Sequence, residues 1–441
     1  MSVYDKFCGA AFAFKALFIP DYRRFYRQLK MDEMLKGEER REYILRRLQS
    51  IVKYAYEQSP FYRRLYDSVD FSPDDLKSIS DFEKLPTVGK SDLQAHSQEF
   101  FTRDTTPEMR NMKTTGGSTG VPVSVYHDRR VPIMAVEWWL LNKWGLNPGS
   151  SAGCFLRYKP KRRLLNSLMW FPTRRVFGDA TLISEESCRS FYDECRRAKV
   201  RYLCGYVGAL MDFSEFMRRH KLSIPTLRTV WTTSAPLTEF SRRQMTEIFG
   251  CPTFSQYGCC EMFWLGAECP ELSGLHQFDT LRHLEVVDSQ FKPLPTEQYG
   301  EVLLTDMTNR VFPLIRYRNG DCAAWSSKSC PCGSNFPLLL PVKGRTTDMI
   351  RLPSGRVLSG DYLTTLFDAY PFALSAFQVV QHRDLSLTIR CVPLSAEADA
   401  VVKKVAGDLS DKIQNEVQIN TVMEEHIDHD RGKFRYVVRE Q

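Results

Sequence analysis

Thr114-Thr115-Gly116-Gly117-Ser118-Thr119-Gly120-Val121-Pro122 is the stretch on which the reading of this 441-residue chain turns. Three glycines leave the backbone N–H groups uncovered, and four hydroxyl side chains stand among them. Such a loop suits a polyphosphate, whose oxygens accept from both kinds of donor. The β-capable run Val123-Ser124-Val125-Tyr126 follows, so the loop is expected to turn back into a sheet. The Gly-x-x-x-x-Gly-Lys-Ser/Thr pattern of the common P-loop is absent from the chain. Taken alone, the stretch reads equally as a flexible turn.

The rest of the composition sets bounds. The chain is long enough for two or three domains, and 43% hydrophobic with 26% charged residues is ordinary for a globular protein. The net charge of +7 is modest. Arg157, Lys159, Lys161, Arg162, Arg163, Arg174 and Arg175 crowd one stretch. That stretch is either a solvated face or an attractor for a nucleotide, a CoA phosphate, a phosphopantetheine carrier or an anionic lipid. No nucleic-acid recognition motif accompanies the charge, so nucleic acid is not an expected partner. Thirteen cysteines in a chain of this size, with no visible leader, read as reduced thiols of which a few bind metal. The start, Phe7 to Pro20, is apolar but interrupted by Lys15 and too short to span a bilayer. It reads as a helix packed on the body or as a weak membrane-surface helix.

Glu38 to Tyr56 carries apolar residues at Ile44, Leu45, Leu48, Ile51, Val52 and Ala55, a helical spacing that Ser59-Pro60 breaks. From about 120 to 330, β-rich runs alternate with helical stretches. Val200–Tyr206 reads as a strand before a helix from Gly208 to His220. Leu227–Thr233 reads as another, ending at Ser234-Ala235-Pro236 before a helix to Phe249. This alternation predicts α/β layering. After Arg345, strands at Ser375–Val380 and Leu385–Cys391, a helix over Ala396–Glu416 and a last strand Gln418–Glu424 predict a small α+β domain.

Further landmarks follow the loop in order: Tyr257-Gly258-Cys259-Cys260-Glu261, then Arg316-Tyr317-Arg318-Asn319-Gly320-Asp321, then Gly344-Arg345-Thr346-Thr347-Asp348-Met349-Ile350, then Arg431-Gly432-Lys433-Phe434-Arg435. With the loop, this series resembles the motifs of the adenylate-forming superfamily. Tyr54–Arg64 and Leu85–Leu93 resemble N-terminal signatures of its phenylacetate–CoA ligase and CapK (capsule-biosynthesis) branch, so the resemblance runs from about residue 40 to the C-terminus. It implies an α/β fold with a large multi-sheet adenylation domain over 1–345 and a small, mobile α+β lid over 346–441. It also implies ATP with Mg2+, a small carboxylic acid as substrate, and CoA, a carrier-protein thiol or an amine as acceptor.

Residue roles follow from the same resemblance. Thr114, Thr115, Ser118 and Thr119, with Gly116, Gly117 and Gly120, would cradle the β- and γ-phosphates. Glu261 would hold Mg2+. Asp321 would accept the ribose hydroxyls. Tyr257, followed by Gly258, would lie over adenine, and Ser234-Ala235-Pro236 would flank it. Arg345 would reach the phosphate or ribose side, and Lys433 would bridge the carboxylate and the α-phosphate. Two positions depart from the pattern: Cys260 replaces a hydroxyl donor at the α-phosphate, a thiol being the weaker donor, and Thr347 stands at the usual hinge.

Cys330-Pro331-Cys332-Gly333 resembles half of a zinc knuckle, and Cys269 and His276 can supply the other half. Three thiolates and one imidazole make a closed, structural site. The leading function is carboxylate activation to an acyl-adenylate with transfer to CoA or another acceptor, in a bacterial cytoplasmic role connected with surface polysaccharide. Nucleotidyl transfer ending at an AMP adduct, as in coenzyme F390 synthetases, and a nucleotide-binding scaffold without turnover are the competing readings. Trp138, Trp139, Trp144, Trp170, Phe171, Phe263 and Trp264 either line an acyl pocket or belong to the core. A homodimer is the default expectation.

Overall fold

A computed structural model describes residues 3–114, 123–156, 171–180, 183–343, 350–354, 357–358, 363, 366–367, 369–370, 373–427 and 435–440. The chain divides into two compact units, one of residues 1–13, 146–255 and 343–441 and the other of residues 14–145 and 256–342.

The first unit contains a parallel sheet ordered Arg175–Asp179, Ala152–Leu156, Tyr202–Tyr206, Thr229–Thr233, with Thr253, Phe254 and Ser255 of the strand Thr253–Cys259 pairing last. Tyr202, Leu203 and Cys204 are all buried, as a parallel strand covered on both faces requires. The expected helices follow their strands as Val207–Arg219 and Glu239–Phe249. The second starts at Thr238, whose side chain accepts from the Ser241 N–H, and stops at Gly250 with φ +66°. The C-terminal part is a four-stranded sheet ordered Ile419–Met423, Leu387–Pro393, Leu374–Gln381, Val437–Arg439, with the helix Ala398–Lys412. Every element read from the sequence in this region is present; the short strand Val437–Arg439, parallel to Leu374–Gln381, is additional. Phe377, Val379, Ile389, Val402 and Leu409 share one apolar core with Phe213, Phe240 and Met245. Tyr436 Oη lies 2.7 Å from Ser241 Oγ within it. The N-terminal helix Val3–Ala16 begins here, with Asp5 paired to Arg201 at 2.6 Å and Cys8 buried, so its first turns pack on the body.

In the second unit the helix Gly37–Gln58 buries Ile44, Leu48, Ile51, Val52 and Ala55 as the spacing predicts. Pro60 then starts the helix Pro60–Asp67, where a missing N–H costs nothing. Arg110–Thr114 and Ser124–Asp128 form an antiparallel pair whose last rung is Thr114 opposite Ser124. The glycine-rich loop is therefore flanked by a hairpin, as expected from Val123–Tyr126. Arg282–Val287, Gly300–Asp306 and Tyr317–Ala323 make an antiparallel sheet. Gln256–Cys259 pairs with Phe263–Glu268, that strand with Leu275–Gln277, and the last with Leu338–Leu339, all antiparallel. Buried ion pairs brace these layers: Arg282 with Asp306 at 2.7 Å, and Arg40 donating Nε to Asp279 Oδ2 at 2.7 Å.

Candidate active site

The strand Thr253–Cys259 and its partner Phe263–Glu268 are joined by the turn that carries Cys260 and Glu261. The ladder slips between Tyr257 and Gly258. A Cβ on Gly258 would stand 2.2 Å from the Phe263 carbonyl oxygen and 2.5 Å from Gln256 Nε2, so only glycine lets the two strands close here. Phe263, at φ +61°, starts the return strand in a conformation unusual for an aromatic residue. The turn thus holds Glu261 buried, with Tyr317 Oη donating to its Oε1 at 3.1 Å.

From the neighbouring sheet, Tyr317–Ala323 brings Asp321 to the same place. Tyr257 Oη donates to Asp321 Oδ2 at 2.8 Å, and Asn319 Nδ2 donates to the same oxygen at 2.5 Å. Asn319 Oδ1 accepts the Asp321 N–H at 3.0 Å, an Asx-type closure two residues long. Burial, and then the Asp321 charge, push the Tyr257 phenol well above its ordinary pKa, so it remains a donor. Burial, followed by Glu261 and Asp321, does the same to the Cys259 thiol, which is inert as a nucleophile at neutral pH. Two motifs more than fifty residues apart therefore meet, Tyr257 with Asp321 and Glu261 with Tyr317.

The motif's Arg316 plays a different part. It is buried at φ +47°, donates Nη2 to Glu285 Oε1 at 2.9 Å and reaches the Leu85 carbonyl with Nη1. Val88 N–H donates to the Arg316 carbonyl at 3.1 Å, and Arg318 N–H donates to the Val88 carbonyl at 2.8 Å. The N-terminal landmark Leu85–Val88 is thus a bracket for the strand bearing Asp321. Tyr62, from the Tyr54–Arg64 signature, accepts the Ile315 N–H at 2.8 Å just before it.

Three residues given no role from sequence now have one. Asn319 fixes Asp321, Tyr317 holds Glu261, and His127 braces the turn. His127 Nε2 donates to the Cys260 carbonyl at 2.9 Å, and its ring stacks on Phe263 at 4.1 Å between centroids. Burial lowers its pKa to about 4, against the pull of the Cys260 carbonyl and Asp306 and with the push of Arg282 and Lys113. Asn319 was legible only as a polar residue two before an aspartate; nothing local marks His127, whose partner is 133 residues away.

Ser234-Ala235-Pro236 lies in the other unit, directly after Thr229–Thr233, with Ser234 at φ +74°. Thr114 ends its strand with a described backbone. Thr115, Gly116, Gly117, Ser118, Thr119, Gly120, Arg345, Thr347 and Lys433 lie outside the described residues, as do Arg157–Arg163 of the basic stretch and Trp170. Of the aromatic residues, Trp139 is core: it packs on Phe278 and Phe336 and donates to Glu33 at 2.8 Å. Trp144 is buried and donates to the Glu268 carbonyl at 3.0 Å.

Cys269, His276, Cys330 and Cys332 converge, their ligand atoms all within 4.8 Å of one another. Cys269 Sγ and Cys330 Sγ are 3.4 Å apart, and so are Cys332 Sγ and His276 Nε2. Donors about 3.8 Å apart are what a tetrahedral zinc with thiolate bonds of about 2.3 Å demands, so the set fits that ion. His276 pairs with Leu338 on one side and Ala267 on the other, which places the cluster across the edge of the sheet. Burial holds its imidazole down to about 4, hence neutral and able to ligate. Among the described residues no cluster of three potential metal ligands includes Glu261.

No protein-family model matches the chain. In sequence it is similar to the phenylacetate-coenzyme A ligase of Thermus thermophilus, 27% identical over 368 residues covering 80% of this chain and 81% of that protein. It is also similar to the phenylacetate-coenzyme A ligase of Aromatoleum evansii, 23% identical over 331 residues covering 72% and 73%. In structure it is similar to 2-hydroxyisobutyryl-CoA ligase in the postadenylation state in complex with 2-HIB-AMP. The TM-score is 0.79 at 20% identity, over 93% of this chain and 91% of that one. The fold is that of the adenylate-forming CoA ligases.

Proposed function

We propose, from a chain similar to phenylacetate-coenzyme A ligases and built on the fold of the adenylate-forming enzymes, that it activates a carboxylic acid with ATP and passes the acyl group to the thiol of CoA. The observation that carries this is the hydrogen bond from Tyr257 to Asp321 beside the Glu261–Tyr317 contact. It joins Tyr257, Asp321 and Glu261 in one unit, the residues that would serve adenine, ribose and a cation.

In the first step a carboxylate oxygen attacks the α-phosphorus and pyrophosphate leaves. In the second the CoA sulfur attacks the acyl carbon and AMP leaves. This chain's residues position and neutralise rather than react. Asp321, oriented by Tyr257 and Asn319, accepts the ribose hydroxyls. The loop from Thr114 to Gly120 receives the β- and γ-phosphates, with Ser234–Pro236 on the adenine side. Cys260 offers its backbone and a weak thiol donor near the α-phosphate. Arg345 and Lys433 complete the charge compensation, Lys433 from a lid that spans 346–441 and moves against an adenylation domain over 1–345. Glu261 would hold Mg2+, which when bound shields the triphosphate charge. We infer that Cys269, His276, Cys330 and Cys332 hold a structural zinc ion. Within the superfamily, Tyr54–Arg64 and Leu85–Leu93 support the CapK-like branch and an acid or acceptor belonging to surface-polysaccharide synthesis.

The test is incubation with ATP, Mg2+, CoA and a panel of aromatic, aliphatic and sugar acids, with products identified by mass spectrometry. AMP release that needs both an acid and CoA, together with a thioester, supports the proposal. An AMP adduct that CoA does not consume, with no thioester formed when CoA is supplied, would replace it with nucleotidyl transfer.

A further inference from the structure

The end of the N-terminal helix, the turn after it and the helix Pro20–Asp32 present a surface that no step of the proposed reaction uses. Phe14, Leu17 and Phe18 are 62%, 52% and 72% exposed. The rings of Phe14 and Phe18 meet edge to face with centroids 5.5 Å apart. Leu17 and Phe18 donate their N–H groups to the Phe14 and Lys15 carbonyls at 3.1 and 2.9 Å, so a closed turn holds the three side chains outward as one knuckle.

The helix that follows is sorted by charge. Its inner side packs on the helix Ala135–Lys143: Tyr22 and Tyr26 meet Trp138, and Leu29 is buried. The acids turn inward as well. Asp32 is buried, and Glu33 just beyond it takes Lys143 at 2.6 Å and Trp139 Nε1 at 2.8 Å. Arg24, Arg27, Lys30 and Met31 are exposed, at the spacing that puts them along one outer face. The one exposed acid of this helix, Asp21, lies 3.9 Å from Arg24. An apolar knuckle therefore continues into a face on which three exposed cations, Arg24, Arg27 and Lys30, stand against one exposed carboxylate, Asp21.

We propose that this surface seats the protein on an anionic lipid membrane, with Phe14, Leu17 and Phe18 entering the headgroup–acyl boundary and Arg24, Arg27 and Lys30 meeting lipid phosphates. Rings beside a basic face on a helix lying in the interface plane are what such a surface selects. No helix among the described residues is long and apolar enough to cross a membrane, so the attachment is peripheral. A second copy of the chain is the poorer occupant, because a two-fold contact would set the same cations against each other. The inference stands apart from the ligase reading and does not rest on it.

The experiment is co-sedimentation of the full chain with sucrose-loaded vesicles of phosphatidylcholine alone or with about 30% phosphatidylglycerol, a typical anionic load. Binding should be at least about tenfold tighter to the anionic vesicles and should weaken as salt is added. The triple change Arg24→Gln/Arg27→Gln/Lys30→Gln should cost about a hundredfold at low salt, roughly fivefold per cation. Phe14→Ser/Phe18→Ser should cost about tenfold or more while leaving the melting temperature unchanged, since both rings face water. Equal binding to both vesicle types, binding that survives either set of changes, or no binding at all would overturn the proposal. So would a dimer in light scattering that Phe14→Ser/Phe18→Ser dissolves, because a second copy would then cover the knuckle.

Discussion

Tyr257→Phe isolates the contact on which the proposed nucleotide site is built. Asp321 Oδ2 receives two donors, Tyr257 Oη at 2.8 Å and Asn319 Nδ2 at 2.5 Å. Removing one donor from a charged acceptor costs about 1.5–3 kcal/mol. Phenylalanine keeps the ring proposed to face adenine, and Asn319 still holds the carboxylate, so the low end applies. About 1.5 kcal/mol corresponds to roughly a tenfold loss in kcat/KM for ATP. Ribose binding is alike in ground and transition states, so the loss should fall on KM for ATP more than on kcat. Asn319→Ala should cost at least as much, and the double variant should cost more than the sum of the two, because each donor backs up the other at one oxygen. The assay is initial-rate kinetics against ATP at saturating acid, with melting temperatures showing that each variant is folded. An unchanged KM for ATP in Tyr257→Phe, or strict additivity of the pair, would refute the reasoning that Asp321 is a positioned ribose acceptor.

Three other outcomes follow from the geometry. Arg316→Met should destabilise the protein by about 3–5 kcal/mol in urea unfolding, because it leaves Glu285 buried without its cation, and Arg316→Met/Glu285→Leu should recover most of that; a single-variant cost below about 1 kcal/mol would deny the bracket. Burial lowers the His127 pKa from the ordinary 6.5 to about 4, so the unfolded chain binds the proton more tightly. Its contribution is complete above about pH 6.5 and is lost as pH falls toward 4, about 2 kcal/mol by pH 5. His127→Gln should flatten that limb of the melting-temperature profile, and an unchanged limb would count against a buried neutral imidazole. Elemental analysis should find one zinc per chain, lost in Cys332→Ser and retained in Glu261→Gln, and stripping it with a strong chelator should lower Tm by more than about 5 °C.

What the sequence disclosed, and what it withheld, divides by the range of the interaction. Helical spacing placed Gly37–Gln58, and the β-capable run after Pro122 announced the hairpin, because both signals are local. The Cys-x-Cys pair and the Cys269–His276 pair were found by ligand spacing, and the fold brings them to one sheet edge. The strand Val437–Arg439 escaped because three residues pair with a strand more than fifty positions earlier. Arg316 was seen as part of a motif, but its buried pairing with Glu285 and the Leu85 carbonyl depends on partners 31 and 231 residues away. Gly258 looked like part of a binding turn; its close approach to the Phe263 carbonyl gives it a steric reason as well. Trp139 and Trp144 were ambiguous between pocket and core, since size and hydrophobicity serve both, and their indole N–H partners decide for the core.

The most direct test of the central claim is ATP–pyrophosphate exchange by purified protein with Mg2+, run without acid and then across carboxylic acids of different classes, for the native chain and Lys433→Ala. The account predicts exchange that appears only with one class of acid and disappears in the variant. Tight ATP binding with no exchange from any acid, or exchange that Lys433→Ala leaves intact, would contradict it.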